Sequence, residues 1–147
     1  MIQKPIDKFD GEYRWLSNFY PCYVSWEGLL FPTVEHAYQA AKSSDLEVWK
    51  YFQGVDAKQA KRKGKTTKIR PDWDASKLAV MEHLLRQKFS QNDFKQRLIE
   101  TGDAELIEGN WWGDTFWGVC KGVGENHLGK LLMQIRAELN ATETEKL

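Results

Sequence analysis

Glu35, Gln39 and Lys42 recur at i, i+4 and i+7 in the segment TVEHAYQAAK. On a helix that spacing puts a carboxylate, an amide and an amine in one narrow stripe. Val34, Tyr38 and Ala41 form the adjacent apolar stripe, and Ala37 and Ala40 leave little bulk around it. A carboxylate and an amine beside an apolar face shift each other's pKa, and such a pair can move protons or form an imine. The plainer alternative is an exposed ion pair, worth only about a few tenths of a kcal/mol.

Three further segments carry chemistry. Asn110 to Gly118 holds three Trp, two Gly and one Asp within nine residues, which suits neither a regular strand nor a helix. There the glycines permit close backbone approach, Trp112 and Trp117 supply walls, and Asp114 supplies a buried acceptor. A packed structural loop is the alternative. Gly122 and Gly124 run into a helix beginning near Asn126, where free N–H groups and a positive dipole end suit a phosphate. The glycine spacing is not a dinucleotide fingerprint. Finally, Lys58 to Arg70 holds seven basic residues in thirteen and no acid. That run, with Arg62 at its centre and Trp73 nearby, predicts either a solvated basic face or a phosphate-binding rim.

The elements that must position these groups follow from caps and periodicity. CYVSWEGLLF reads as two short strands about a Glu27-Gly28 turn. Thr33 caps a helix to about Ser43, and Asp45 caps another that Gly54 closes. A short basic helix from Asp56 to Lys63 stops at Gly64. Leu78, Met81, Leu85 and Phe89 mark a long helix from Asp74 to about Ser90. Asn92 starts a further turn or two before Gly102, and Glu105 to Val119 mixes short strands with loop. Asn126 opens a last helix with Leu128, Leu131, Leu132, Ile135 and Leu139 on one face. The predicted class is α+β, predominantly α-helical: a single compact domain over residues 1–140 with a small hairpin, and a frayed tail at 141–147.

Composition narrows the function classes. The chain has 147 residues and balances 21 basic against 21 acidic side chains, which excludes a binder whose whole surface is a cationic footprint. The longest apolar run, Leu78 to Met81, is too short for a membrane span, and Met-Ile-Gln-Lys-Pro shows no signal-peptide core. A cytoplasmic location with no membrane partner is therefore expected, with Cys22 and Cys120 as reduced thiols. The three histidines sit in different segments with no ligand spacing, so neither a metal nor a cofactor is expected. Aromatic residues reach 13%, enough to suggest stacking surfaces besides a core.

Taken in order, these segments resemble the NADAR family of YbiA-like N-glycosidases. The resemblance rests on Leu16 to Phe19, Phe31 to Lys42, Trp73, Lys88-Phe89, Asp114 to Val119, and Gly122 to Met133 with Arg136. It implies cleavage of the bond between a ribose C1 and nitrogen. The substrates it implies are a phosphorylated ribosylamino-pyrimidine of riboflavin synthesis or ADP-ribosylated guanine, with nucleic acid as a carrier of the latter.

Carried over by motif, Glu35 is the acidic position, Lys42 the lysine that would form a Schiff base, and Asp114 with Trp117 the second pair. Asn18 is the early polar position. Cys120 and His127 depart from the glycine and arginine common there. On this reading Glu35, Lys42 and Asp114 are catalytic. Asn18, Phe19, Gln39, Arg62, Trp112, Trp117, Gly118 and Asn126 bind substrate. A non-catalytic module binding ADP-ribose, a nucleotide or nucleic acid is the alternative.

Overall fold

Between Asn18 and Lys88, helices begin where the sequence supplies a side-chain acceptor. Thr33 accepts from the backbone N–H of His36 and opens α1 (Val34–Ala41). Asp45 does the same for Glu47 at α2 (Leu46–Gln53). Asp56 and Gln59 close a reciprocal capping box at α3 (Ala57–Gly64). These elements belong to a computed structural model that describes residues 3–145. The observed class is α+β with helix dominant, as predicted.

Contacts cluster in two units, one spanning Asn18–Lys88 and the other joining the segment up to Ser17 with that from Phe89 onward. In the first, β1 (Val24–Trp26) pairs antiparallel with β2 (Leu29–Phe31). Their turn residues Glu27 and Gly28 have φ of 51° and 79°, the left-handed pair that matches strand twist in a two-residue hairpin. Helix α1 packs against the hairpin, α2 and α3. Ala37, Ala40 and Ala60 are fully buried, and side chains this small let helices approach closely.

His36 is spent on this framework. Its Nε2 donates to the Val55 carbonyl at 2.6 Å, which leaves Nδ1 to accept the Thr33 hydroxyl at 2.7 Å. Helix α4 (Trp73–Ser90) buries Met81, Leu84 and Leu85, whereas Leu78, expected on the same face, is 40% exposed.

The second unit contains a 3-10 helix (Gly11–Leu16), α5 (Asn92–Glu100), β3 (Gly109–Asn110), β4 (Val119–Cys120) and α6 (His127–Glu145). Strands β3 and β4 pair in parallel, and Ile6 bridges to Leu106 alongside. Helix α5 packs on α6, where Lys95 pairs with Glu143 at 3.1 Å and buried Arg136 donates to Thr101 Oγ1 at 2.9 Å. Leu128, Leu132 and Ile135 form the buried stripe of α6, and Leu131 and Leu139 are half-buried. The helix continues through Glu145, so residues 141–145 are helical where the sequence predicts fraying, and 146–147 lie outside the described residues. No helix among the described residues is long and apolar enough to cross a membrane.

Candidate active site

Every residue of α1 is buried, so Glu35 and Gln39 are core groups and the exposed ion pair is excluded. Glu35 is 7% exposed; its N–H donates to the Asn18 carbonyl at 3.0 Å, and Gln39 Nε2 donates to its Oε1 at 2.7 Å. Asn18 is also buried, and its amide reaches Met81 Sδ at 3.6 Å. Two buried oxygens, Asn18 Oδ1 and Gln39 Oε1, have no hydrogen-bond partner. Leaving such an atom unpaired costs about 1–3 kcal/mol. The structure thus brings Gln39 onto the Glu35 carboxylate and the Asn18 backbone onto the Glu35 N–H.

Lys42 follows directly at the C-cap of α1, half-buried, with Nζ 5.6 Å from the Tyr38 ring centroid. Burial lowers its pKa from the ordinary lysine value; Glu35 opposes this and the like charge of Lys77 adds to it. Desolvation therefore outweighs the carboxylate, and the amine loses its proton more readily than a surface lysine. The Lys42 carbonyl accepts from Arg70 N at 2.7 Å, which anchors the end of α1 to the basic segment. Tyr38 and Trp73 lie with ring centroids 5.2 Å apart, and the Arg70 guanidinium stands 5.9 Å from the Trp73 ring.

The basic run divides by role. Arg62 is exposed on α3, as are Lys58 and Lys63, and Lys65 is exposed at its C-cap. Lys61 stands 5.6 Å from the ring of half-buried Phe19, so Phe19 meets the cationic helix there. Arg70 is committed to Asp72 at 2.7 Å and holds that carboxyl down to about 2.

In the other unit, the loop from Asn110 to Gly118 is ordered by its own polar side chains. Asp114 Oδ1 accepts from the N–H groups of Phe116 at 3.1 Å and Trp117 at 2.9 Å. Asn110 accepts from Asp114 N and donates to the Asp114 and Val119 carbonyls. Trp117 packs edge-on to Phe116 at 4.8 Å. Trp112 is 45% exposed and Trp111 84%, the largest aromatic surfaces of that loop. Gly118 is required by packing, since a Cβ there would collide with the Glu108 carbonyl.

The glycine loop departs from expectation. The N–H groups of Glu125, Asn126, His127 and Leu128 donate to the carbonyls of Thr115, Gly118, Phe116 and Trp117. Those amides are already paired, so the start of α6 is not the open phosphate cradle that the sequence suggests. Gly124, at φ 154°, instead fits against the Gly118 carbonyl. Asn126, also left-handed at φ 53°, accepts from Glu108 N at 3.0 Å and donates to the Leu106 carbonyl at 2.9 Å. Its side chain is a clamp on this loop system. Asn126→Ala is expected to cost about 3 kcal/mol in urea denaturation, because one buried and one half-buried backbone group lose their partner and alanine disfavours positive φ.

Two residues were assigned no role by the sequence. Gly64 reads there as a stop signal, yet it is helical, and a Cβ on it would collide with Gln39 Oε1. Lys88 is fully buried, with Nζ 5.9 Å from the Tyr20 ring, and desolvation lowers its pKa to about 7 while Cys22 opposes. Its signal was available: Lys88 falls four residues after Leu84 and three after Leu85, on the core stripe of α4.

The sequence matches the NADAR domain family over residues 6–140. A riboflavin biosynthesis protein of Vibrio vulnificus is 39% identical over 146 residues, covering 95% of this chain but only 40% of that protein. An N-glycosidase of Nostoc punctiforme is 36% identical, with 86% of each chain covered. N-glycosidase YbiA of Escherichia coli K12 is 34% identical over 133 residues, 87% of this chain and 82% of that one. The NMR structure of E. coli YbiA superposes with a TM-score of 0.86 at 31% identity, covering 99% of this chain and 90% of that one.

Proposed function

The chain belongs to the NADAR domain family, and from that premise we propose that it hydrolyses the C1–N bond of a ribosylated nitrogen compound. The observation that carries this reading is the buried Glu35 carboxylate on a wholly buried helix that ends at the half-buried Lys42 amine. Breaking a ribosylamine bond requires a proton on the leaving nitrogen and relief of positive charge at C1. Glu35 supplies the proton. The Lys42 amine attacks C1 as the C1–N bond breaks; one ammonium proton then passes to the ring oxygen as the C1–O4 bond breaks, and the ring-opened sugar is held as a protonated imine. Water then adds to the imine carbon, releasing ribose and restoring the amine, with Glu35 as the base that takes the water proton.

Asp114 offsets the charge developing on the sugar or accepts from a ribose hydroxyl, and Trp112 and Trp117 pack on sugar or base. Asn18, Phe19 and Gln39 line the Glu35 side, and Gly118 and Asn126 hold the Asp114 loop in shape. Arg62 on the cationic face of α3 holds the phosphate. The relative from Vibrio vulnificus, named as a riboflavin biosynthesis protein, supports a phosphorylated ribosylamino-pyrimidine as substrate. The exposed lysines of α3 favour a second substrate, ADP-ribosylated guanine, free or carried on nucleic acid.

Base release followed by mass spectrometry, from both substrates side by side, tests the proposal. Wild type is expected to release base from at least one, and Glu35→Gln to be slower by about 100-fold, the usual size of a lost general acid. Saturable binding of both without released base would replace the enzyme with a binding module.

A further inference from the structure

We propose that Gly64 is a positioning residue for this reaction: its bare Cα lets the Gln39 amide lie against α3, which aims the amide nitrogen at Glu35. The proposal rests on Glu35 being the catalytic acid. Gly64 is the last residue of α3 and is not in the left-handed region, so its backbone conformation does not demand glycine. Glycine is a poor helix former beside alanine, so its presence needs another reason. The three atoms nearest to an added Cβ are Oε1, Cδ and Cγ, all of Gln39.

Nε2 stands 2.7 Å from Glu35 Oε1 and donates to it, a contact that an amide NH2 makes with a carboxyl oxygen in either protonation state. Oε1 is thereby turned toward Gly64, buried and without a hydrogen-bond partner. The glycine Cα–H beside it is the weak donor that such an oxygen tolerates. A methyl group at position 64 displaces the far end of a flexible side chain and leaves the α3 backbone in place. What is lost is the grip on Glu35 and not the fold.

Four proteins decide it: wild type, Gly64→Ala, Gln39→Ala and the double variant, each assayed for kcat, KM and Tm, with Glu35→Gln alongside. Gly64→Ala is expected to lower kcat by about tenfold or more while KM stays within about threefold, and to lower Tm. In the Gln39→Ala background the same substitution is expected to leave kcat unchanged and to raise Tm, because the obstruction is gone and alanine favours helix. An equal fall of Tm in both backgrounds, or wild-type kcat in Gly64→Ala, overturns the proposal. If Gly64→Ala does not fold, the double variant must fold and melt above Gln39→Ala; its failure to do so also overturns it. An inactive Glu35→Gln beside a fully active Gly64→Ala removes this inference alone. A fully active Glu35→Gln removes the catalytic reading and this inference with it.

Discussion

Replacing Lys42 by Met is expected to lower turnover by more than about 1,000-fold while the protein still folds. The side chain sits at the C-cap of α1, half-buried, so an unbranched apolar chain of similar length fills its place. Borohydride added during turnover is expected to trap sugar on wild type, with a mass increase on the Lys42 peptide, and none on the variant. Attack needs the neutral amine. Because burial puts the Lys42 pKa below 10.5, kcat/KM is expected to rise with pH to an inflection below that value. Lys77 lowers the Lys42 pKa by like charge, so Lys77→Met is expected to move the inflection upward. Full activity in Lys42→Met removes the imine and leaves Glu35 to work through water alone.

Lys88→Met is expected to stabilise the protein most at low pH. The folded pKa is about 7 and the ordinary value 10.5, so between them the unfolded chain holds a proton that the native state does not. Stability then rises with pH across that window by about 1.4 kcal/mol per unit and is lowest below pH 7, where the buried amine is charged. Removing the amine should therefore favour the variant most below pH 7 and progressively less toward pH 10. Urea titrations of both proteins at pH 6 and pH 9 measure it. An equal difference at the two pH values would mean that Lys88 stays ionised in the fold throughout.

What the sequence discloses is what local chemistry determines. Thr33, Asp45 and Asp56 mark helix starts because a cap needs only its own backbone two or three residues on. Glu27-Gly28 marks the hairpin because that turn demands positive φ at both positions. Glu35 and Gln39 are visible as a stripe, but the stripe is the same for a solvated helix and a buried one. Only the packing of the hairpin, α2 and α3 around α1 distinguishes them.

Glycine is where local reading fails most. Gly64 and Gly118 look like punctuation, yet each is dictated by an atom distant in sequence, Gln39 Oε1 and the Glu108 carbonyl. The same holds at the start of α6. A glycine-rich approach to a helix suggests open amides, but whether they are open depends on carbonyls about ten residues upstream. Leu78 errs the other way: its spacing predicts the core face, yet the side chain is 40% exposed.

The pairing of residues 115–118 with the first turn of α6 makes the Asp114 loop part of the helix's foundation. Swinging it aside would strip Glu125, Asn126, His127 and Leu128 of their acceptors at once, at about 1 kcal/mol or more for each bond. Asp114 and Trp117 are therefore carried on a fixed wall and not on a hinged flap.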